Sequence, residues 1–85
     1  MKEILLNQLE ACIKYKRWNL KIERNEFGNM LIAPAWLEEI EDNRRFEISI
    51  EDNGNFFLNG TNYELEFNNI TELMEILDGI YEFEV

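Results

Sequence analysis

The sequence predicts an α+β fold, in which an antiparallel sheet of about five strands carries an N-terminal helix and a C-terminal-region helix on one face. Three stretches, at 46–50, 63–67 and 81–85, have an apolar residue at every second position and mostly glutamate between. This alternation is typical of strands with one buried and one solvent-facing side. Two other stretches repeat apolar residues every three to four positions, which indicates amphipathic helices.

The first helix is predicted over residues 3–16. Its apolar stripe follows the spacing i, i+4, i+7 and i+8 and comprises Leu5, Leu9, Cys12 and Ile13, widened by Ile4 and Leu6. This stripe assigns the single cysteine to the buried side. Basic residues at the end of the helix complement its macrodipole and are also positioned to dock against an acidic sheet edge: Lys14, Lys16 and Arg17.

A hairpin is predicted next, with strands at 18–24 and 30–33 joined by a turn at 25–29 that contains Gly28. Pro34 follows. Because proline has no N–H to donate, it either ends the strand or opens a short helix as its first residue. In the second case the apolar side of that helix comprises Trp36, Leu37 and Ile40.

Three further strands, at 44–51, 56–58 and 62–67, are predicted to form a meander. The first two are joined by Asp52-Asn53-Gly54-Asn55, in which Asn-Gly favours a type I′ turn because that turn needs positive φ. Asn59-Gly60 predicts a second turn of the same chemistry.

The second helix is predicted to be capped by Asn68 or Asn69, and Asn69 with Glu72 three residues later resembles a capping box. Its apolar stripe comprises Leu73, Ile76, Leu77 and Ile80. Gly79 is expected to end the helix in the left-handed conformation. Residues 81–85 are then expected to form a last strand or an extended tail.

The composition predicts one globular domain over residues 1–85, since 46% of the residues are hydrophobic and 13% are aromatic. No apolar run is long enough to cross a membrane, and the N-terminus lacks the apolar core of a secretory signal. One cysteine excludes an internal disulfide and fits a reducing compartment, so a cytoplasmic location is expected.

The net charge of −10 is unevenly distributed. Residues 1–24 carry six Lys or Arg and three Glu, a net of +3, whereas residues 25–85 carry a net of −13. Such a chain repels nucleic acid and anionic membranes and is attracted to basic protein surfaces. The alternative is that the acidity only keeps a small protein soluble.

The residue types argue against an enzyme. The chain has no histidine, Ser49 is its only serine, and its four glycines lie apart rather than in a phosphate-binding loop. Acidic residues cluster at 38–42 and 51–55, but neither cluster has the spacing of a calcium-binding loop. No catalytic residue, cofactor or metal is therefore expected.

The carboxylates of the alternating strands are the candidate partner-binding residues: Glu47, Glu51, Asp52, Glu64, Glu66, Glu82 and Glu84. On neighbouring strands such groups lie about 4.8 Å apart, and facing like charges cost up to about 1 kcal/mol per pair. A functional role would explain why they are present. Alternatively, the acidic strands are not neighbours, or basic residues lie between them: Lys21, Arg44 and Arg45.

The acidic hairpin strands, the turn at 52–55 and the amphipathic helix over 70–80 resemble the small acidic α+β inhibitors of phages and mobile elements, notably anti-CRISPR proteins. The resemblance lies in size, charge and order of elements, and the basic N-terminal helix departs from it. It implies that the carboxylates imitate phosphates and occupy a basic nucleic-acid groove on a host defence complex. It also implies the host cytoplasm as the location, if a phage encodes the chain.

Two other function classes are compatible with this sequence. An immunity protein or antitoxin also uses acidic patches, directed against a basic toxin nuclease. A small adaptor module instead binds its partner through an apolar patch. The sequence leaves the identity of the partner and the oligomeric state open.

Overall fold

A computed structural model describes residues 2–37, 45–61 and 64–81. Five strands form one antiparallel sheet in which each strand pairs with the next along the chain. The predicted α+β architecture with two terminal helices is confirmed. The elements are α1 (Lys2–Lys16), β1 (Leu20–Arg24), β2 (Met30–Pro34), β3 (Phe46–Ile50), β4 (Phe56–Asn59), β5 (Glu64–Phe67) and α2 (Ile70–Tyr81).

Both helices pack on one face of the sheet, here called the helix face, and the opposite side is called the open face. Alternate strand residues lie on the helix face because side chains along a strand point to opposite sides. The strand residues of the core are Met30, Ile32, Phe46, Ile48, Phe56, Leu58 and Phe67. The helices contribute Leu6, Leu9, Ile13, Leu73 and Leu77 to the same cluster.

The turns at 25–29 and 51–55 have the same backbone geometry. In the first, Gly28 N–H donates to the Asn25 carbonyl and Asn25 N–H donates to the Asn29 carbonyl, and the second repeats both bonds at equivalent positions. Gly28 and Gly54 have φ of 77° and 88°, which glycine adopts without steric cost. Asn53 has no positive φ, so each turn is a type I turn with a glycine bulge. The type I′ prediction is wrong.

α1 buries a narrower stripe than predicted. Leu6, Leu9 and Ile13 are buried, whereas Ile4 is 59% exposed and Cys12 is partly exposed. The sheet contacts the helix along the line i, i+3 and i+7, so residues outside that line stay in contact with solvent. The prediction that Ile4 belongs to the buried side is therefore wrong, and for Cys12 it holds only in part.

The predicted cap of α2 is confirmed. The Asn69 side-chain oxygen accepts a hydrogen bond from Glu72 N–H at 2.9 Å, and the Glu72 carboxylate accepts one from Asn68 N–H at 3.3 Å. The first bond satisfies a backbone donor that the first turn of a helix leaves unpaired. The second differs from a capping box, in which Glu72 would accept from Asn69 N–H.

The predicted end of α2 is wrong. The helix continues through Gly79 to Tyr81, and Gly79 does not have the positive φ of a left-handed cap. Ile80 is partly buried against the core, and this contact favours continuation of the helix although glycine costs roughly 1 kcal/mol inside a helix relative to alanine. Tyr81 therefore belongs to the helix rather than to a last strand, and residues 82–85 lie outside the described residues.

β2 extends one residue beyond the predicted 30–33 and ends at Pro34, which pairs with Leu20 of β1. Leu37 N–H then donates to the Pro34 carbonyl at 3.0 Å, which closes one turn. Leu37 is buried, whereas Trp36 is 49% exposed. The remainder of the predicted short helix, including Ile40, lies outside the described residues. Across the described ranges, no helix combines the length and apolar character needed to span a membrane.

Candidate protein-binding surface

The open face carries the carboxylates of the strands. Its acidic residues are Glu23 on β1, Glu47 on β3, and Glu64 and Glu66 on β5. Each alternates with residues of the helix face and therefore points away from the helices. Three of the four are candidates from the sequence. Glu23 was missed, although it lies in the same two-residue alternation along β1.

Acidic strands alternate with strands that present uncharged residues on this face. In one row across the sheet, Glu23 faces Leu31, Leu31 faces Glu47, Glu47 faces Asn59, and Asn59 faces Glu64. Consecutive carboxylates of the row are thus two strands apart, about 9.6 Å rather than the expected 4.8 Å. The predicted repulsion between directly facing carboxylates is absent from this row, because β1, β3 and β5 are not neighbours.

Asparagine side chains hold two of the candidate carboxylates in place. Glu47 accepts hydrogen bonds from the Asn25 and Asn29 side-chain amides at 2.5 and 3.0 Å. Glu66 accepts one from the Asn55 amide at 2.7 Å. Asn29 and Asn55 each follow the bulge glycine of a turn. The shared turn geometry orients the Asn29 amide toward β3 and the Asn55 amide toward β5. These two glutamates have a structural role, which strand patterning alone does not reveal.

The other described candidates are exposed: Glu51, Asp52 and Glu64. Glu51 and Asp52 lie in the β3–β4 turn, and Glu64 begins β5. No hydrogen bond or ion pair engages their carboxylates within the described part of the chain. They are therefore available for contact with a partner. Glu82 and Glu84 lie outside the described residues.

Lys21 is a cation of the open face. Its Nζ donates a hydrogen bond to the backbone carbonyl of Leu37, which ties β1 to the segment after β2. The alternative in which Lys21 neutralises the strand carboxylates is not observed. Arg44 lies outside the described residues.

Lys14, one of the basic residues near the end of α1, forms an ion pair with Glu10 of the same helix. Lys14 Nζ lies 2.9 Å from the Glu10 carboxylate, and Arg24 of β1 approaches the same carboxylate at 3.3 Å. The Lys14 hydrogen bond lowers the pKa of Glu10, and the charges of Lys14 and Arg24 lower it further, although burial opposes them. One interpretation of the sequence expected Lys14 to dock against an acidic sheet edge. The structure instead pairs Lys14 with Glu10 within α1.

An open groove of about 510 Å³ lies between α1 and α2, on the side of the helix layer that faces away from the sheet core. Its walls are Ala11, Cys12, Tyr15 and Lys16 of α1 and Ile70, Thr71, Met74, Glu75 and Asp78 of α2. The sequence did not point to this groove, because its walls come from the two ends of the chain. An apolar floor with charged rims is suited to binding a side-chain cluster of a partner.

Among the described residues, no group of three or more Cys, Asp or Glu side chains is arranged to hold a metal ion. The sequence matches no protein-family model, and neither a curated protein nor a solved structure matches it. The resemblance to anti-CRISPR proteins therefore stays a prediction.

Proposed function

We propose that this protein is a non-enzymatic inhibitor that binds a basic protein surface through the open face of its sheet. The surface it blocks is a nucleic-acid-binding groove of a host defence complex of the CRISPR-Cas type, in the cytoplasm. The protein itself does not bind nucleic acid, because its net charge of −10 repels phosphates.

The observation that carries this proposal is the placement of the strand carboxylates on one side of the sheet. Glu47 and Glu66 are held by asparagine amides, so their charges are fixed before a partner arrives. Preorganised charges lose little side-chain entropy when a partner binds. Glu51 and Asp52 extend the acidic surface over the turn end of the sheet. Opposite charges across such a contact accelerate association and make it sensitive to salt.

The test begins with a tagged protein incubated with host lysate and eluted in steps of rising salt, with the released proteins identified by mass spectrometry. A nuclease or nucleic-acid-binding complex released at moderate salt is the expected result. The purified complex should then lose nucleic-acid binding when the inhibitor is added. A partner that resists salt, or one without affinity for nucleic acid, would contradict the proposal.

Two matched charge reversals locate the contact. Glu51→Lys with Glu64→Lys changes the open face at exposed positions, and we expect it to abolish capture. Glu3→Lys with Glu26→Lys changes the net charge equally, at exposed positions on α1 and in the turn at 25–29, and we expect it to retain capture. If both variants lose the partner equally, the net charge rather than the open face is responsible. Glu66 is left intact because it accepts the Asn55 hydrogen bond.

An immunity protein or antitoxin would use the same open face. The captured partner separates the two functions, since a single toxin nuclease would indicate immunity and a multi-subunit defence complex would indicate the inhibitor. The groove between α1 and α2 favours a second candidate function, the adaptor module, because that class predicts an apolar contact.

A further inference from the structure

The outer side of α1 carries a stripe of exposed residues, of which Ala11 and Tyr15 line the groove between the helices, whereas Ile4 and the polar Gln8 lie nearer the N-terminus. Ile4 is 59% exposed, Tyr15 is 85% exposed, and Ala11 between them is also exposed. Their spacing of seven and four residues places all three within about 20° of one line along the helix. At 1.5 Å per residue, the stripe is about 16 Å long. It is therefore a linear feature rather than a compact pocket.

The two rims of the groove differ in charge. Glu75 and Asp78 lie along the α2 rim, and α2 contains no basic residue. The α1 rim ends in Tyr15 and Lys16. A segment that lies in the groove therefore meets an apolar floor with two carboxylates along one side. This arrangement favours a partner with an apolar stripe and positive charge on one flank.

We infer that the groove binds an amphipathic α-helix of a partner protein, oriented so that its Lys or Arg flank faces Glu75 and Asp78. A helix laid between two helices is a common mode of peptide recognition, in which apolar residues at i, i+3, i+4 and i+7 fill the groove. The length of the stripe corresponds to about three turns of such a helix. This surface is separate from the open face, so the protein would hold two contacts on opposite sides.

The charges and the shape of this surface disfavour two other occupants. A second copy of the chain also carries a net charge of −10, so self-association meets repulsion, whereas a basic helix is attracted. A small ligand would occupy the groove but would leave Ile4, at the far end of the stripe, exposed. Both occupants are outcomes of the test below.

The probe is a synthetic 18-residue peptide with leucine at i, i+3, i+4 and i+7 and lysine on the flanks, compared with the same peptide carrying glutamate on the flanks. Cys12 is the single cysteine and lies in the groove wall, so its alkylation rate reports occupancy. We expect the lysine peptide to become helical by circular dichroism and to slow alkylation of Cys12. The glutamate peptide should do neither. Absence of both effects with the lysine peptide would overturn the inference.

Matched variants distinguish the groove from general attraction. Glu75→Gln with Asp78→Asn and Glu51→Gln with Glu64→Gln each remove two negative charges, on α2 and on the open face. We expect the first pair to weaken peptide binding about tenfold and the second to change it little. Ala11→Arg should abolish binding, because it fills an exposed position in the groove wall with a basic side chain. Equal weakening by the two pairs would overturn the inference.

Sedimentation velocity without peptide tests the second copy as occupant. A dimer that Ala11→Arg dissociates would overturn the inference in favour of self-association, whereas a monomer supports it. A small apolar dye that slows Cys12 alkylation while the lysine peptide does not would indicate a ligand pocket instead and also overturn it. These measurements test the groove alone and do not depend on the open face. A negative result for the groove therefore leaves the proposed inhibitor function untouched, and the reverse also holds.

Discussion

The β1–β2 turn at 25–29 and the β3–β4 turn at 51–55 have the same backbone but use their side chains differently. Both end in a glycine bulge followed by an asparagine. The Asn29 amide donates to Glu47 on β3, and the Asn55 amide donates to Glu66 on β5. In the first turn, Asn25 adds a second amide donor to Glu47. In the second turn the equivalent position is Glu51, whose carboxylate is exposed.

Asn25 also closes the first turn from within. Its side-chain oxygen accepts hydrogen bonds from the backbone N–H groups of Phe27 and Asn29, at 3.0 and 2.9 Å. The second turn has a single bond of this kind, from Asn55 N–H to Asn53. The first turn therefore uses its polar side chains for its own stability. The carboxylates of the second turn, Glu51 and Asp52, stay exposed, and the proposed contact surface includes them.

The largest expected effect is on the free energy of unfolding, which should fall more when the side-chain hydrogen bonds of the first turn are removed than when that of the second is. Asn25→Ala removes three side-chain hydrogen bonds, and at roughly 1 kcal/mol each we expect a loss of about 2–3 kcal/mol in the free energy of unfolding. Asn53→Ala removes one exposed bond and should cost less than about 1 kcal/mol. Urea unfolding of both variants measures the difference. Equal losses would show that the two turns contribute alike.

An intermediate effect is expected for the links between each turn and the next strand. A double-mutant cycle on Asn29 and Glu47 should give a coupling energy of about 1 kcal/mol, because this pair is partly buried. The cycle on Asn55 and Glu66 should give a few tenths of a kcal/mol, because that pair is exposed and solvent weakens it. If the Asn55–Glu66 coupling energy is the larger, Glu66 contributes more to stability than Glu47 does. The second turn would then be the one more strongly linked to its neighbouring strand.

The smallest expected effect concerns the attachment of β1 to α1. Because the Lys14 hydrogen bond and the nearby charges lower the pKa of folded Glu10, the unfolded chain binds the proton more readily. The ionised Glu10 carboxylate therefore stabilises the fold at pH values above its pKa in the unfolded chain. This stabilisation is lost as the pH falls through the pKa of Glu10 in the folded protein. We expect Glu10→Gln to flatten the pH dependence of the melting temperature in this acidic range. An unchanged slope would show that the ion pair does not couple to folding.

The sequence alone was sufficient to predict the architecture, because each element has a local signal. Period-two alternation indicated β1, β3 and β5, although it also suggested a strand from Tyr81, which belongs to α2. The Asn69–Glu72 cap marked the start of α2. Glycine at 28 and 54 marked the two turns, since a positive φ is a local requirement that few other residues meet. These signals depend on neighbours in the chain and therefore need no knowledge of the fold.

Tertiary structure decided the end of α2 and the neighbours of the carboxylates. Gly79 has the local signature of a helix end, but the helix continues and Ile80 packs, partly buried, against the core. Likewise, alternation assigns Glu47 to the open face, but only strand order shows that Leu31 and Asn59 separate it from the next carboxylates. The groove between α1 and α2 has the same origin, since burial and pairing depend on residues that are distant in sequence and close in space.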